Sequence, residues 1–209
     1  MRKLNGRIPA KEALSLLQSA DTAELMSLAD GVRRRKHGSN VYYVHSLNLN
    51  PTNVCENQCR LCAFWRDRED RDAYTLSLAQ MKRKLQKAKA WNLTDVHIVG
   101  GLNKEIDLDY YLELLRVTKK MLPAVTVQAL TAVEIQWLSQ SAGKSVEEVL
   151  KSLKTAGLDA IPGGGAEIFS PRVRENICPK KISAEQWLHV HETAHSLGIP
   201  SNATMLFGH

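Results

Sequence analysis

Cysteine is scarce in this chain, with four among 209 residues, and three of those four crowd into eight positions as Cys55, Cys59 and Cys62. So uneven a distribution excludes a disulfide framework and points to a metal or redox site in a reducing compartment. Aromatic residues are also few, at 6%. None interrupts the two basic runs, Arg33 to Lys36 and Lys82 to Lys89, so bases would find nothing to stack on there. Despite a formal net charge of +6, the runs read as solvated helix faces, and no nucleic-acid partner is expected. No apolar run reaches about 18 residues, which excludes a spanning helix of the usual kind, and no membrane partner is expected. The opening MRKLNGRIPAKEALSLLQ is basic but lacks an apolar core followed by a small-residue cleavage site, so it is not read as a secretory signal. The expected location is cytoplasmic. No GxGxxG opens a helix after the first strand, which counts against a dinucleotide fold.

What is present is a rhythm. Residues 10 to 37 read as two short helices, the second opening at Asp21-x-x-Glu24 and closing near Gly38. VYYVHSLNLN has strand composition, and a long polar loop carrying the cysteines follows it. Capping patterns at Ser77-x-x-Gln80, Ser145-x-x-Glu148 and Ser183-x-x-Gln186 then open helices that alternate with apolar strands. The expected strands lie at about 41–49, 95–100, 124–130, 158–162 and 199–207. Such alternation predicts parallel βαβ units in one α/β domain. The chemistry-bearing residues cluster just after strands, which suits a barrel and also a doubly wound open sheet. The expected organisation is a helical extension over residues 1–38 and a barrel domain over 39–209 that stops short at its C-terminal end, because an apolar strand closes on Gly208-His209 without a covering helix.

The motif C-x3-C-x2-C supplies three thiolates where a closed zinc site wants four ligands. Zinc, completed by Cys178 or a histidine, would make the chain a zinc-binding nucleic-acid module. An iron–sulfur cluster is held by thiolates at such short spacings. With three of them a four-iron cluster keeps one iron open to a non-protein ligand. His191 and His195, four apart on a predicted helix with His189, form a possible metal pair but lack an H-E-x-x-H pattern and read as surface or packing residues. Cys178 reads as a loop cysteine, and Arg172 and Arg174 face either an anionic substrate or water.

The cysteine motif in a loop after the first strand, with Gly100-Gly101 at the end of the second, resembles the radical S-adenosylmethionine superfamily. The stretches LNPTNVC, CAFWRD, HIVGGLN and the run from PGGGAEIF to NATMLFGH resemble its menaquinone and deazaflavin branch, most of all the aminofutalosine synthase family. That resemblance implies a partial (β/α) barrel with about five parallel strands present. It implies a 4Fe–4S cluster held by Cys55, Cys59 and Cys62, with S-adenosyl-L-methionine on the fourth iron. It implies cofactor contacts from Phe64, Gly100, Gly101 and Glu167, and substrate contacts from Asn202, Thr204 and His209. Leu61 stands where the superfamily usually has an aromatic residue, with Phe64 or Trp65 as substitutes. A small-molecule substrate and a one-electron donor such as flavodoxin or ferredoxin are the implied partners. The implied activity is transfer of the adenosyl group to 3-((1-carboxyvinyl)oxy)benzoate, giving 6-amino-6-deoxyfutalosine. Dehypoxanthine futalosine cyclase and the deazaflavin synthase subunit are sibling readings. The superfamily barrel has six core strands, so this chain is expected to carry the cofactor half of the site.

Overall fold

A computed structural model describes residues 7–208. It divides into two compact units, one ending at Tyr43 and the other beginning at Val44.

The first unit holds helices α1 (Ala10–Ser19) and α2 (Thr22–His37). The Asp21 side chain accepts the Glu24 N–H at 2.8 Å and so caps α2. Arg34, Arg35, Lys36 and His37 fill the last turn of α2, where the helix dipole favours cations. Asp30 pairs with both Arg33 and Arg34, at 2.8 and 2.6 Å, and hydrogen bonds from Arg34 and then Arg33 hold its carboxyl below the ordinary range. The first basic run is therefore partly neutralised along an exposed helix face.

In the second unit, strands β1 (Ser46–Leu49), β2 (Asp95–Ile98) and β3 (Thr126–Ala129) form a parallel sheet in that order, with Leu47, Val96 and Val127 in register. Single parallel bridges carry it further, from Gln128 to Ala160 and from Ile161 to Ser201. Helices α3 (Leu78–Ala88), α4 (Leu108–Met121), α5 (Ala132–Ala142), α6 (Val146–Ala156), α7 (Pro171–Ile177) and α8 (Ala184–Ser196) follow the strands. The arrangement is a partial β/α barrel.

Alternation along the strands separates two faces. Leu49, Val96, Ile98, Val127 and Ala129 are buried against Leu85, Leu114, Leu115, Leu150 and Leu153 of the helices. Ser46, Asp95, His97 and Gln128 point the other way and line an inner cavity of about 440 Å³. There Asp95 accepts hydrogen bonds from Ser46 at 2.5 Å and Gln128 at 3.1 Å, and His97 meets Asn48 at 3.2 Å.

Two expectations are corrected. The strand expected over 41–49 begins only at Ser46, because pairing with the β2 strand starts at His45, whose carbonyl accepts the Thr94 N–H. Val41 to Val44 lie outside that ladder and are exposed. The fourth and fifth strands shrink to bridges: Pro162 and Pro200 lack N–H donors, and Gly163 to Gly165 turn the chain away.

Leu150 is fully buried between helix and sheet. Leu150→Ala is expected to cost about 2–5 kcal/mol through lost burial and the cavity left behind. Loss of the Ser145 cap in Ser145→Ala is expected to cost about 1 kcal/mol. Urea unfolding of both variants checks the ranking.

Candidate cofactor site

The loop between β1 and α3 is held by buried polar side chains. Thr52, fully buried, donates to the Tyr74 carbonyl at 2.7 Å, and its hydroxyl accepts from the Val54 N–H and from Asn103. Asn53 donates to the Asp72 carbonyl and accepts the Tyr74 N–H. Asn103 also reaches Thr75 at 2.8 Å. These residues satisfy backbone groups that would otherwise be buried without partners.

The loop is also pressed against the end of β2. Gly101 donates its N–H to the Thr52 carbonyl at 3.0 Å, and a Cβ on Gly101 would lie 2.1 Å from the Val54 carbonyl oxygen. Glycine is therefore required at 101 by the passing loop backbone. Gly100 lines the cavity and gives its N–H to Glu134 Oε1 at 2.9 Å.

Cys55, Cys59 and Cys62 share the wall of a cavity of about 210 Å³ at the carboxyl ends of the strands. All three are free thiols; Cys59 is buried and the other two are half-buried. Burial pushes the Cys59 thiol up to about 11. Among the described residues no three His, Cys, Asp or Glu side chains converge where one ion would sit. A closed zinc site needs four donors on one ion, whereas a cluster spreads its thiolates over separate irons. Three thiols on one cavity wall fit a cluster held by three thiolates.

Glu134, which the sequence reading passed over, lines the same cavity and is 3% exposed. Its Oε2 accepts the Thr131 N–H and hydroxyl at 2.7 and 2.8 Å in a capping box that opens α5. Burial outweighs these bonds and raises its pKa to about 7. Thr131-x-x-Glu134 has the same form as the capping patterns used to find the other helices, so the signal was there.

Glu167 follows Gly165 and Ala166 in a left-handed conformation, with φ of 49°. Its carboxylate is paired with Lys181 at 2.5 Å, and it is Lys181 that lines the cavity. Burial works against the Lys181 ammonium, but Glu167 and the nearby Cys59 and Cys178 outweigh it and raise its pKa. Trp65 lines the cavity and donates its indole N–H to the Cys59 carbonyl at 3.0 Å. Phe64 lies off the cavity, 42% exposed and edge-to-face with Tyr74, because its neighbour Trp65 takes the inward position. Leu61 is exposed as well. Cys62 and Trp65 also line a hollow on the outer surface, with Arg60 and Arg71.

Asn202 and Thr204 border the inner barrel cavity. Both are tied to Gly163: Asn202 accepts its N–H at 2.5 Å and Thr204 donates to its carbonyl at 3.0 Å. His209 lies outside the described residues. Cys178 is buried near Arg174 and Lys181, with its thiol raised by burial, and lies off the cysteine cavity. Arg174 is buried and bonds the carbonyls of Ala166, Ile168 and Ile182, so its role is to brace the chain; Arg172 is exposed. His191 and His195 both meet Ser201 Oγ, at 2.9 and 2.8 Å. His191 packs at a tilt against Trp187 with its pKa lowered to about 4 by burial.

The structure thus gathers three thiols on a cavity beyond the strand ends of a partial parallel β/α barrel. The sequence profile of the radical SAM superfamily matches residues 49–209, which takes in the cysteine loop and the cavity. The chain belongs to that superfamily, whose members use a 4Fe–4S cluster and S-adenosylmethionine. An aminodeoxyfutalosine synthase of Thermus thermophilus is 45% identical over 203 residues, covering 97% of this chain and 55% of that protein. A 5-amino-6-(D-ribitylamino)uracil–L-tyrosine 4-hydroxyphenyl transferase of Methanopyrus kandleri is 41% identical over 205 residues, covering 98% of this chain and 56% of that protein. The chain thus spans about half the length of the curated relatives it matches. Methylornithine synthase (PylB) has the same fold, with a TM-score of 0.74 at 17% identity, over 95% of this chain and 55% of that one. Among the described residues no helix is long and apolar enough to cross a membrane.

Gly101→Ala is expected to displace the cysteine loop and lower both melting temperature and iron uptake, whereas Gly31→Ala, whose Cβ meets only Arg35 at 3.5 Å, leaves iron uptake unchanged. Glu134 supplies a pH dependence. Its folded pKa of about 7 lies above the ordinary 4.5, so the native state keeps a proton that the unfolded chain releases. Its contribution is full below pH 4.5 and lost as pH rises through 7, by roughly 3 kcal/mol at most. Denaturant midpoints at pH 5 and pH 8 should show this slope, and Glu134→Gln should flatten it.

Proposed function

We propose that Cys55, Cys59 and Cys62 hold three irons of a 4Fe–4S cluster and that S-adenosylmethionine binds at the fourth. The observation that carries this is the placing of all three thiols on one cavity beyond the strand ends. When bound, the cluster supplies the one electron that cleaves the cofactor to methionine and a 5′-deoxyadenosyl radical. Gly100 offers bare backbone on the same cavity, and Glu134 fixes that backbone by holding its N–H. Among the described residues Trp65 is the aromatic ring on the cavity, and it is proposed to take the part of the aromatic residue that Leu61 replaces. Glu167 holds Lys181 against the cavity, whatever it also offers to the cofactor's ribose.

The substrate is proposed to occupy the inner barrel cavity, which shares Val99 and Thr131 with the cysteine cavity. Asn202 and Thr204 stand there by bracing Gly163, where a Cβ would lie 2.2 Å from the Asn202 carbonyl oxygen. The whole protein is proposed to add the adenosyl group to 3-((1-carboxyvinyl)oxy)benzoate, losing bicarbonate and giving 6-amino-6-deoxyfutalosine. Support is the 45% identity to an aminodeoxyfutalosine synthase. The second reading, a deazaflavin-type 4-hydroxyphenyl transfer from tyrosine, has the 41% identity in its favour. A cytoplasmic setting and an electron donor such as flavodoxin or ferredoxin go with either.

Anaerobic reconstitution of the protein with iron and sulfide is expected to give the broad visible absorbance of a cluster, absent from a Cys55→Ala, Cys59→Ala, Cys62→Ala variant. Stoichiometric zinc without iron uptake would refute the assignment. Product mass then separates the two reactions: a nucleoside adduct from the enolpyruvyl benzoate supports the first, and a product only from tyrosine with the ribitylaminouracil supports the second.

A further inference from the structure

Lys181 has a position for which cluster ligation alone gives no reason. Its side chain is 13% exposed, and among the described residues lining the cysteine cavity it is the one with a full positive charge. A lysine ammonium is strongly hydrated and normally reaches for water along its flexible stem. Here it is drawn inward and fixed by Glu167, itself 16% exposed and in a left-handed conformation that is costly for a residue with a Cβ. Cys59 is near enough to Lys181 for each to feel the other's charge. Among the described residues Glu134 is the one carboxylate on the cavity wall, and Cys178 and Arg174 share a neighbouring hollow with Lys181.

A four-iron cluster on three thiolates carries net negative charge, and that charge grows by one when an electron is accepted. In a site shielded from water a fixed cation acts on such a change far more strongly than in bulk solvent. We propose that Lys181 is a positioning residue for cluster reduction: an internal counter-cation, held in place by Glu167, that favours uptake of the electron. The proposal rests on Cys55, Cys59 and Cys62 being the cluster ligands. Glu167→Gln keeps an oxygen to accept from the Lys181 ammonium while removing the negative charge, so the two losses of charge act in opposite directions. Loss of the Lys181 charge makes the cluster harder to reduce, and loss of the Glu167 charge makes it easier.

The test is a redox titration of the reconstituted protein, with the reduced cluster followed by electron paramagnetic resonance and iron measured in every variant. S-adenosylmethionine is left out so that its own charges do not contribute. Lys181→Met is expected to move the midpoint potential to a more negative value, Glu167→Gln to a more positive one, and Lys181→Arg to leave it near wild type. A lysine that served packing alone would change iron content or melting temperature without such opposed shifts. Equal potentials in all variants at full iron content, or shifts of the same sign in Lys181→Met and Glu167→Gln, overturn the proposal and leave the ligand assignment standing. Should Lys181→Met fail to load, Lys181→Gln, which removes the charge but keeps a polar head, decides in its place: a negative shift supports the proposal and no shift overturns it. Failure of the wild type to take up iron overturns the ligand assignment instead.

Discussion

Two stretches of backbone meet at the end of β2 with no room for a side chain, where Gly101 lies against Val54 and Cys55. The Gly101 N–H to the Thr52 carbonyl closes the contact. From this seam the cysteine loop leaves the sheet with its first thiol already on the cavity wall. Thr52, Asn53 and Asn103 then satisfy the loop's buried polar groups from within. A loop tied down in this way has little conformational freedom left to lose when a ligand arrives, which is the physical content of preorganisation. The glycine pair thus serves the loop before it serves any cofactor.

The cavity behind the seam favours neutral groups. Burial raises both the Cys59 thiol and the Glu134 carboxyl, so each leans toward its protonated form. Metal ligation demands the reverse at the thiols, because only thiolates bind, and loading must therefore release protons. A bound cluster becomes the largest local charge and resets the balance around it. Lys181 is the group already charged in the direction such a guest requires.

Much of this was legible in the sequence, for reasons that differ from residue to residue. Cysteine spacing is local, so the motif survives without knowledge of the fold. Helix starts were legible because a capping box is written in four consecutive residues, as at Ser77, Ser145 and Ser183. The same signature at Thr131 went unread, and with it α5 and Glu134. What the sequence could not reveal were relations across long separations. The pairing of Glu167 with Lys181 depends on a turn through three glycines, and the clash at Gly101 depends on a loop nearly fifty residues earlier. Phe64 and Trp65 are adjacent in the chain, and only folding decides which of them faces the cavity.

The three cysteines are not equivalent. Cys59 is buried, while Cys62 stands in the partition between the cysteine cavity and a hollow open to solvent, with Trp65 beside it. A cofactor seated against that partition has one corner a single side chain from the surface. If the proposed cluster sits there, such thinness would shorten the path by which an electron enters, and equally the path of dioxygen to the same sulfur. The corner at Cys62 would then be at once the threshold of the site and a door to air.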